Sequence, residues 1–347
     1  MNTVAHGMGL RTLRFLLPAL FVVTLSGCPG TLEKGTDWEL EQADEAWWMS
    51  TVHVGEERWV VGGTPEEGAM LHDAGSGLEV VNLEFEVELL NWIHAFDGGG
   101  YAVVGNGGAI LYSADGSTWT QQSVGVTDQN LWGVWGTNAD DVWVVGGDGS
   151  MAGDATILRG PVDDLQPMDT PTLEHPNIFA WFKVWGSGPN DVFIVGQSGG
   201  LLHWDGVALT EQMVGLSKDL IGLWGTGPNR VAVVGGRFNG AIALWDGSEW
   251  RGIELAPISG LNGVWLRGDT IHAVGAQAMS VKLDFRTGQV IGEEEWLGTR
   301  IPEAMGVDLH SIHGANDGHL TSVGGNFAHP SGPYDGLAVT RRLGSDE

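Results

Sequence analysis

The sequence predicts an all-β protein, a seven-bladed β-propeller whose last blade is closed by an N-terminal strand, and three observations carry that prediction. A unit of short apolar strands recurs, its second strand ending in Val-Gly at Val61, Val104, Val145, Val195, Val234, Val274 and Val323, with neighbours 39 to 50 residues apart. The strands alternate with period two and no 3.6-residue pattern persists, which fits a ring of small sheets rather than a helical solenoid. The last unit stops after its third strand, GLAVTRRLG from Gly336. Ahead of the first unit, GTDWELEQA from Gly35 has the pattern of fourth strands such as GSTWTQQSV from Gly116 and GSEWRGIEL from Gly247. Residues 35–43 are therefore expected to form the outer strand of the final blade, so that no sheet edge stays open.

Before the ring comes a targeting segment. Arg11 and Arg14 precede the apolar run FLLPALFVVTL, and Leu25-Ser26-Gly27-Cys28 follows it. That order is the layout of a secretory signal, and the run is shorter than the roughly 20 residues that span a bilayer core. The sequence Leu-Ser-Gly-Cys resembles the bacterial lipobox, which implies cleavage before Cys28 and a diacylglycerol on its sulfur. Cys28 is the one cysteine of the chain, so no intramolecular disulfide exists and lipidation explains a lone thiol in an exported protein. The two or three acyl chains of a lipoprotein anchor stably where one holds only marginally. Pro29 follows the cysteine, and by resemblance to enterobacterial sorting this points to the outer membrane or cell surface. The expected organisation is a signal peptide over 1–27, a lipidated cysteine and short linker over 28–34, the propeller over 35–343 and a disordered tail over 344–347. A linker of six residues reaches about 20 Å.

Within the ring the clearest copies of the unit are LWGVWGTNADDVWVVGG from Leu131, FKVWGSGPNDVFIVGQSGGLLHWDG from Phe182 and GLWGTGPNRVAVVGGRFNGAIALWDG from Gly222. Weaker copies begin at Trp59, Tyr101, Val264 and Leu309. Trp135, Trp185, Trp224 and Trp265 recur at equivalent strand positions and are expected to build the core between blades, each indole burying about 150 to 250 Å². The stretch Ser113-Ala114-Asp115-Gly116-Ser117-Thr118-Trp119 resembles an Asp-box one residue short of full length, in which the carboxylate caps turn amides and the Trp packs between sheets. Trp245-Asp246-Gly247-Ser248-Glu249-Trp250 and Trp204-Asp205-Gly206 are degenerate versions. On these residues the chain resembles the sialidase-like BNR propellers and the photosystem II assembly factors, and more closely the VWGSGPNDVW-type repeat lipoproteins of myxobacteria. The resemblance covers nearly all the mature chain and implies a fold whose members do unrelated things.

The composition excludes some functions. The net charge is −28 and the lysines are Lys34, Lys183, Lys218 and Lys282. Such a field repels nucleic acid and anionic lipid. It either attracts cations such as Ca²⁺ and basic partners or keeps the surface soluble, and no cofactor is expected. A sialidase needs three central arginines and a Tyr nucleophile. Arg300-Ile301-Pro302 resembles the sialidase arginine motif but sits near the last blade, and the tyrosines are Tyr101, Tyr112 and Tyr334. A glycoside hydrolase needs two carboxylates across a cleft; with 44 acidic residues some pair always qualifies, so that signal decides nothing. Asp140, Asp141 and Asp191 are expected to cap the turn between first and second strands. His310 and His313 are three apart on a strand and point to opposite faces, so they and the nearby His319 and His329 suggest structural or surface roles rather than a metal site.

The loop after each Val-Gly varies most. It is short in the second, fourth and sixth units (NGG, QSGG, AQAM) and longer in the third (GDGSMAGDA from Gly147), the fifth (GRFNG from Gly236) and the last (GNFAHPSGPYDG from Gly325). Variable loops on a rigid scaffold are where binding usually resides. The candidate ligand-binding set is therefore Arg237, Phe238, Phe327, His329, Tyr334 and Asp335. The expected function is a monomeric, membrane-tethered, non-enzymatic module that binds a protein or glycan. The alternatives are a polysaccharide-active hydrolase or lyase and a membrane-protein assembly factor.

Overall fold

The computed structural model describes residues 37–149, 155–174, 178–292 and 294–344. The expected signal, Cys28, its linker and residues 345–347 of the tail lie outside them. Seven four-stranded antiparallel sheets follow one another along the chain. Blades 1 to 6 span 47–80, 90–121, 131–167, 181–211, 220–259 and 261–296, each laid out in chain order from an inner strand outwards. Blade 7 takes Asp308–Gly314, His319–Gly325 and Gly336–Arg342 from the end of the chain and Glu39–Asp44 from its beginning. The closing strand runs antiparallel to its neighbour, from Glu39 opposite Thr340 to Asp44 opposite Gly336. Just before it, Trp38 is buried in one apolar cluster with Leu297, Ile301, Val339 and Leu343.

Two local features depart from the sequence expectation. Second strands such as Asp141–Gly146 and Arg230–Gly235 are buried at every residue after the first. Both faces of these strands pack against neighbouring blades, and a strand covered on both sides reads as a continuous Val/Ala/Ile run instead of alternating. Several outer strands are shorter than expected: GSTWTQQSV supplies only Thr120–Gln121 to its sheet, although GSEWRGIEL belongs to a strand running Trp250–Ser259. Trp119, just ahead of that pair, is buried and stands edge-on to Trp59 with ring centroids 5.5 Å apart.

All seven inner strands carry a register shift at the same place, directly after the residue paired with the glycine of Val-Gly. The extra residue in each is Met49, Asn91, Trp132, Phe182, Ile221, Asn262 and His310. A bulge adds one residue to a strand and re-aims its side chain. Because inner strands start where second strands end, these seven residues share one end of the ring with the variable loops and the connections between blades. That end is called here the loop mouth; the turns between first and second and between third and fourth strands form the opposite end.

Blades lock together through the Trp-Gly pairs. A Cβ on Gly186 would lie 2.6 Å from the Trp135 ring, one on Gly225 2.4 Å from Trp185, and one on Gly314 2.4 Å from Trp265. The indole of one blade thus lies flush on the glycine of the next, and Trp135, Trp185 and Trp265 are buried as expected. Trp224 is the exception. Blade 6 has Leu266 where blades 3, 4, 5 and 7 have glycine, and Trp224 is only half-buried, edge-on to His313 with centroids 5.0 Å apart.

The short loops make a second lock. In blades 2, 4 and 6 they form a single 3₁₀ turn whose middle residue, Gly107, Ser198 or Gln277, is left-handed. Its amide donates to the side-chain oxygen of Asn130, Asp219 or Asp308, at the start of the following blade, at 3.2, 3.0 and 2.8 Å.

Candidate functional site

The channel itself is filled. Directly after the bulge stand Ser50, Trp92, Gly133, Lys183, Gly222, Gly263 and Ser311, so two large side chains occupy a ring of small ones. Lys183 is 3 % exposed. Its ammonium donates to the Trp132 carbonyl at 2.8 Å and lies 4.2 Å from the centroid of the Trp92 ring. Farther in, His53 and His313 stack at 5.8 Å, the His53 amide donates to His313 Nδ1 at 3.2 Å, and Trp224 closes over them. A void of about 10 Å³, room for one water, lies among Trp92, Gly222, Gly263, Ser311, His313 and Trp224. Burial holds the nearby histidines below their usual range: His53 and His94 to about 4, His310 and His313 to about 3. None of the channel residues named here is a carboxylate.

What the channel lacks in space, the loop mouth offers as surface. Trp47, Met49 and Leu89 form an apolar cluster against which Trp132, Phe327 and Tyr334 pack, partly open to solvent. Phe327 and Tyr334 meet Trp47 edge-on at 5.5 and 5.2 Å, and Phe327 meets His310 at 5.6 Å. This ridge runs from the loop of blade 7 across blades 1 and 2 to blade 3. The bulged Phe182 of blade 4 extends it, with the Arg237 guanidinium 5.7 Å from its ring.

The structure divides the sequence-predicted set into three groups. Phe327 and Tyr334 belong to the aromatic ridge. Arg237 and Phe238 stand on blade 5, separated from them by blade 6 and its short loop; Phe238 is 90 % exposed, and Arg237 pairs with Asp219 at 2.8 Å. Asp335 and His329 hold the last loop in shape. The Asp335 amide donates to Asn326 Oδ1, Asn326 Nδ2 donates to the Asp335 carboxylate, and the His329 amide donates to the Asn326 carbonyl. Asn326 Oδ1 also accepts from Trp47 Nε1 at 2.8 Å, which latches this loop onto blade 1. Sequence reasoning missed the bulged residues and Lys183. The available signal was the replacement of Leu-Trp-Gly at 131–133 by Trp-Phe-Lys at 181–183.

Other motifs resolve as structure. Asp115 accepts from the Ser117 and Thr118 amides at 2.8 and 3.2 Å, and these bonds hold its carboxyl below the usual range. Asp205 and Asp246 do the same in blades 4 and 5, and Asp73 caps the corresponding turn of blade 1 through Gly75 and Gly77. In the turn between first and second strands of blade 3 the cap is Asn138, whose Oδ1 accepts from the Asp140 amide at 2.8 Å. Asp141 does not cap the turn, whereas Asp191 accepts across it from the Ser187 hydroxyl. Each also reaches the third strand, Asp141 to Arg159 at 2.8 Å and Asp191 to His203 at 2.7 Å, because each shares a sheet face with the residue two further on, Trp143 or Phe193, whose cross-strand partner is that Arg or His. Arg300, Ile301 and Pro302 line a depression with Glu39, Thr340 and Arg342 at the outside of blade 7, away from the channel. Among the described residues, no group of three or more His, Cys, Asp or Glu side chains could hold a metal ion.

No protein-family model matches the chain, and no curated protein matches it. Solved structures do. YCF48 bound to D1 peptide is 14 % identical with a TM-score of 0.64, covering 90 % of this chain and 99 % of that one. A virginiamycin B lyase from Staphylococcus aureus, solved as a catalytically inactive variant with quinupristin, is 10 % identical with a TM-score of 0.66 over 88 % and 100 %. The WD40 repeats of RRP9 are 11 % identical with a TM-score of 0.64 over 88 % and 98 %. At such identities the likeness concerns the fold.

Proposed function

We propose that this chain is a non-enzymatic, membrane-tethered scaffold that takes a protein partner, or the apolar face of a glycan, on its loop mouth. The observation that carries the reading is the pairing of a filled channel with an aromatic ridge: Trp132, Phe182, Phe327 and Tyr334 stand partly open at one end of the ring. Aromatic side chains with Arg close by are the usual anchors of protein interfaces. That YCF48 has been solved with a peptide supports a peptide-sized occupant.

Lipidation of Cys28 gives this surface a direction. The closing strand begins at Glu39, the residue farthest along it from Ala46 and the start of blade 1, and so at the end opposite the loop mouth. A tether of about 20 Å entering there turns the other mouth to the bilayer and the loop mouth away from it, towards a partner.

Two experiments test the reading. Cys28→Ala is expected to abolish incorporation of labelled palmitate and to release the protein from the membrane fraction; retention of both would refute the anchor. A partner co-purified with the native lipoprotein is expected to be lost, by roughly tenfold or more, when Phe238 and Phe327 are replaced by alanine. Undiminished recovery would refute the loop mouth as its site.

A further inference from the structure

We infer that Lys183 makes the floor of the loop mouth a site for a carboxylate carried on an apolar body, an aromatic acid or the free end of a peptide that finishes in an apolar residue. The inference rests on the loop mouth being the binding face and names the chemistry that face selects.

The ring position after the bulge is Ser or Gly in five blades, and Trp92 fills a sixth. Only in blade 4 does the chain place a cation there. The ammonium of Lys183 has three hydrogen-bond donors. One bonds the Trp132 carbonyl, and the π face of Trp92 covers another side of it. The nearby His310 is neutral, and its Nδ1 donates to the Met49 carbonyl at 2.7 Å.

The other buried cations of this acidic chain have carboxylates beside them, Arg58 with Glu41 and Asp73 and Arg341 with Glu295, as do the more exposed Arg159, Lys218, Arg230, Arg237 and Arg286. Among the described residues Lys183 has no such ion pair. A buried cation without a counterion is costly, and burial lowers the lysine to about 7. A bound anion would remove that cost.

Access is from the loop mouth. The accepting carbonyl belongs to Trp132, a bulged residue whose indole is half-buried in the mouth cluster, so the ammonium lies one residue below the surface. The lysine stem is flexible enough to turn upward. On that side Met49, Trp132 and Phe327 of the mouth cluster and the bulged Phe182 next to Lys183 supply apolar surface. An apolar acid satisfies both parts of such a site, whereas its amide loses the charge-assisted bond.

The test uses the detergent-solubilised full chain and its Lys183→Met variant, which keeps the length of the side chain and removes the charge. Tryptophan fluorescence would be followed during titration with 3-phenylpropionate, its amide, and acetyl-Ala-Phe with a free or an amidated end. Both acids, or one of them, are expected to bind roughly tenfold or more tightly than the matching amide, and Lys183→Met is expected to erase the difference while still folding. Preference for the peptide acid identifies a chain end as the source; equal binding of both acids identifies the carboxylate alone. The inference is overturned if acid and amide bind alike, if no acid binds at millimolar concentration, or if Lys183→Met keeps the discrimination. A loop-mouth partner that still depends on Phe238 and Phe327 after such a failure would leave the binding face standing without its carboxylate site.

Discussion

Individual residues set how this ring responds to acid. His53, His94, His310 and His313 belong to inner strands, and burial keeps them neutral down to about 4, 4, 3 and 3. In the unfolded chain they take up protons below pH 6.5, while the folded protein refuses them. Their contribution is therefore fully present above pH 6.5 and is lost as pH falls from there towards 4 for His53 and His94 and towards 3 for His310 and His313. His94, whose Nε2 lies 2.7 Å from the Gly136 carbonyl of the next blade, isolates the effect. Denaturant unfolding at pH 7 and pH 5 should show that His94→Gln loses less stability on acidification than the native chain, by about 1 kcal/mol. Equal losses would mean that His94 titrates normally in the fold. Lys183 acts in the opposite window: lowered to about 7 from 10.5, it lets stability rise as pH increases between those values.

At the scale of elements, closure of the ring depends on one buried guanidinium. Arg58, 5 % exposed in the second strand of blade 1, donates to Glu41 of the closing strand, to Thr321 of blade 7 at 2.9 Å and to Asp73 of its own blade at 3.0 Å. It thus ties the chain's first strand to its first and last blades. Replacing it leaves two carboxylates facing each other without a cation, so Arg58→Met should cost about 3 kcal/mol in denaturant unfolding. A cost near zero would show that the strand holds by its backbone ladder alone. The closing strand was legible because a Trp-containing outer-strand pattern was missing at one end of the chain and present at the other. The bulges were not legible. A bulge is a mismatch between two strands, and nothing in Trp132, Phe182 or Ile221 by itself announces one.

The whole molecule shows where sequence reading succeeds and where it stops. Seven Val-Gly marks gave the blade number because every second strand must end where a loop leaves the ring, and the Trp-Gly pairs gave the interblade core at Trp135, Trp185 and Trp265. The same regularity misled at Trp224, whose partner position holds Leu266 from another unit. Loop length pointed to one end of the ring, yet it grouped Phe327 and Tyr334, which join the ridge, with Asp335 and His329, which fold their own loop. Lys183 went unnoticed because its burial without an ion pair is a property of three dimensions.

The central claim is that the loop mouth, and not the opposite end, meets the partner. A photo-crosslinking amino acid placed at Phe238 or at Val207 compares the two ends directly, since these side chains are 90 % and 85 % exposed and Val207 lies in a third-to-fourth-strand turn of blade 4. In intact cells, adducts of one defined partner are expected from position 238 and none from 207. Adducts from 207 with none from 238 would contradict the account.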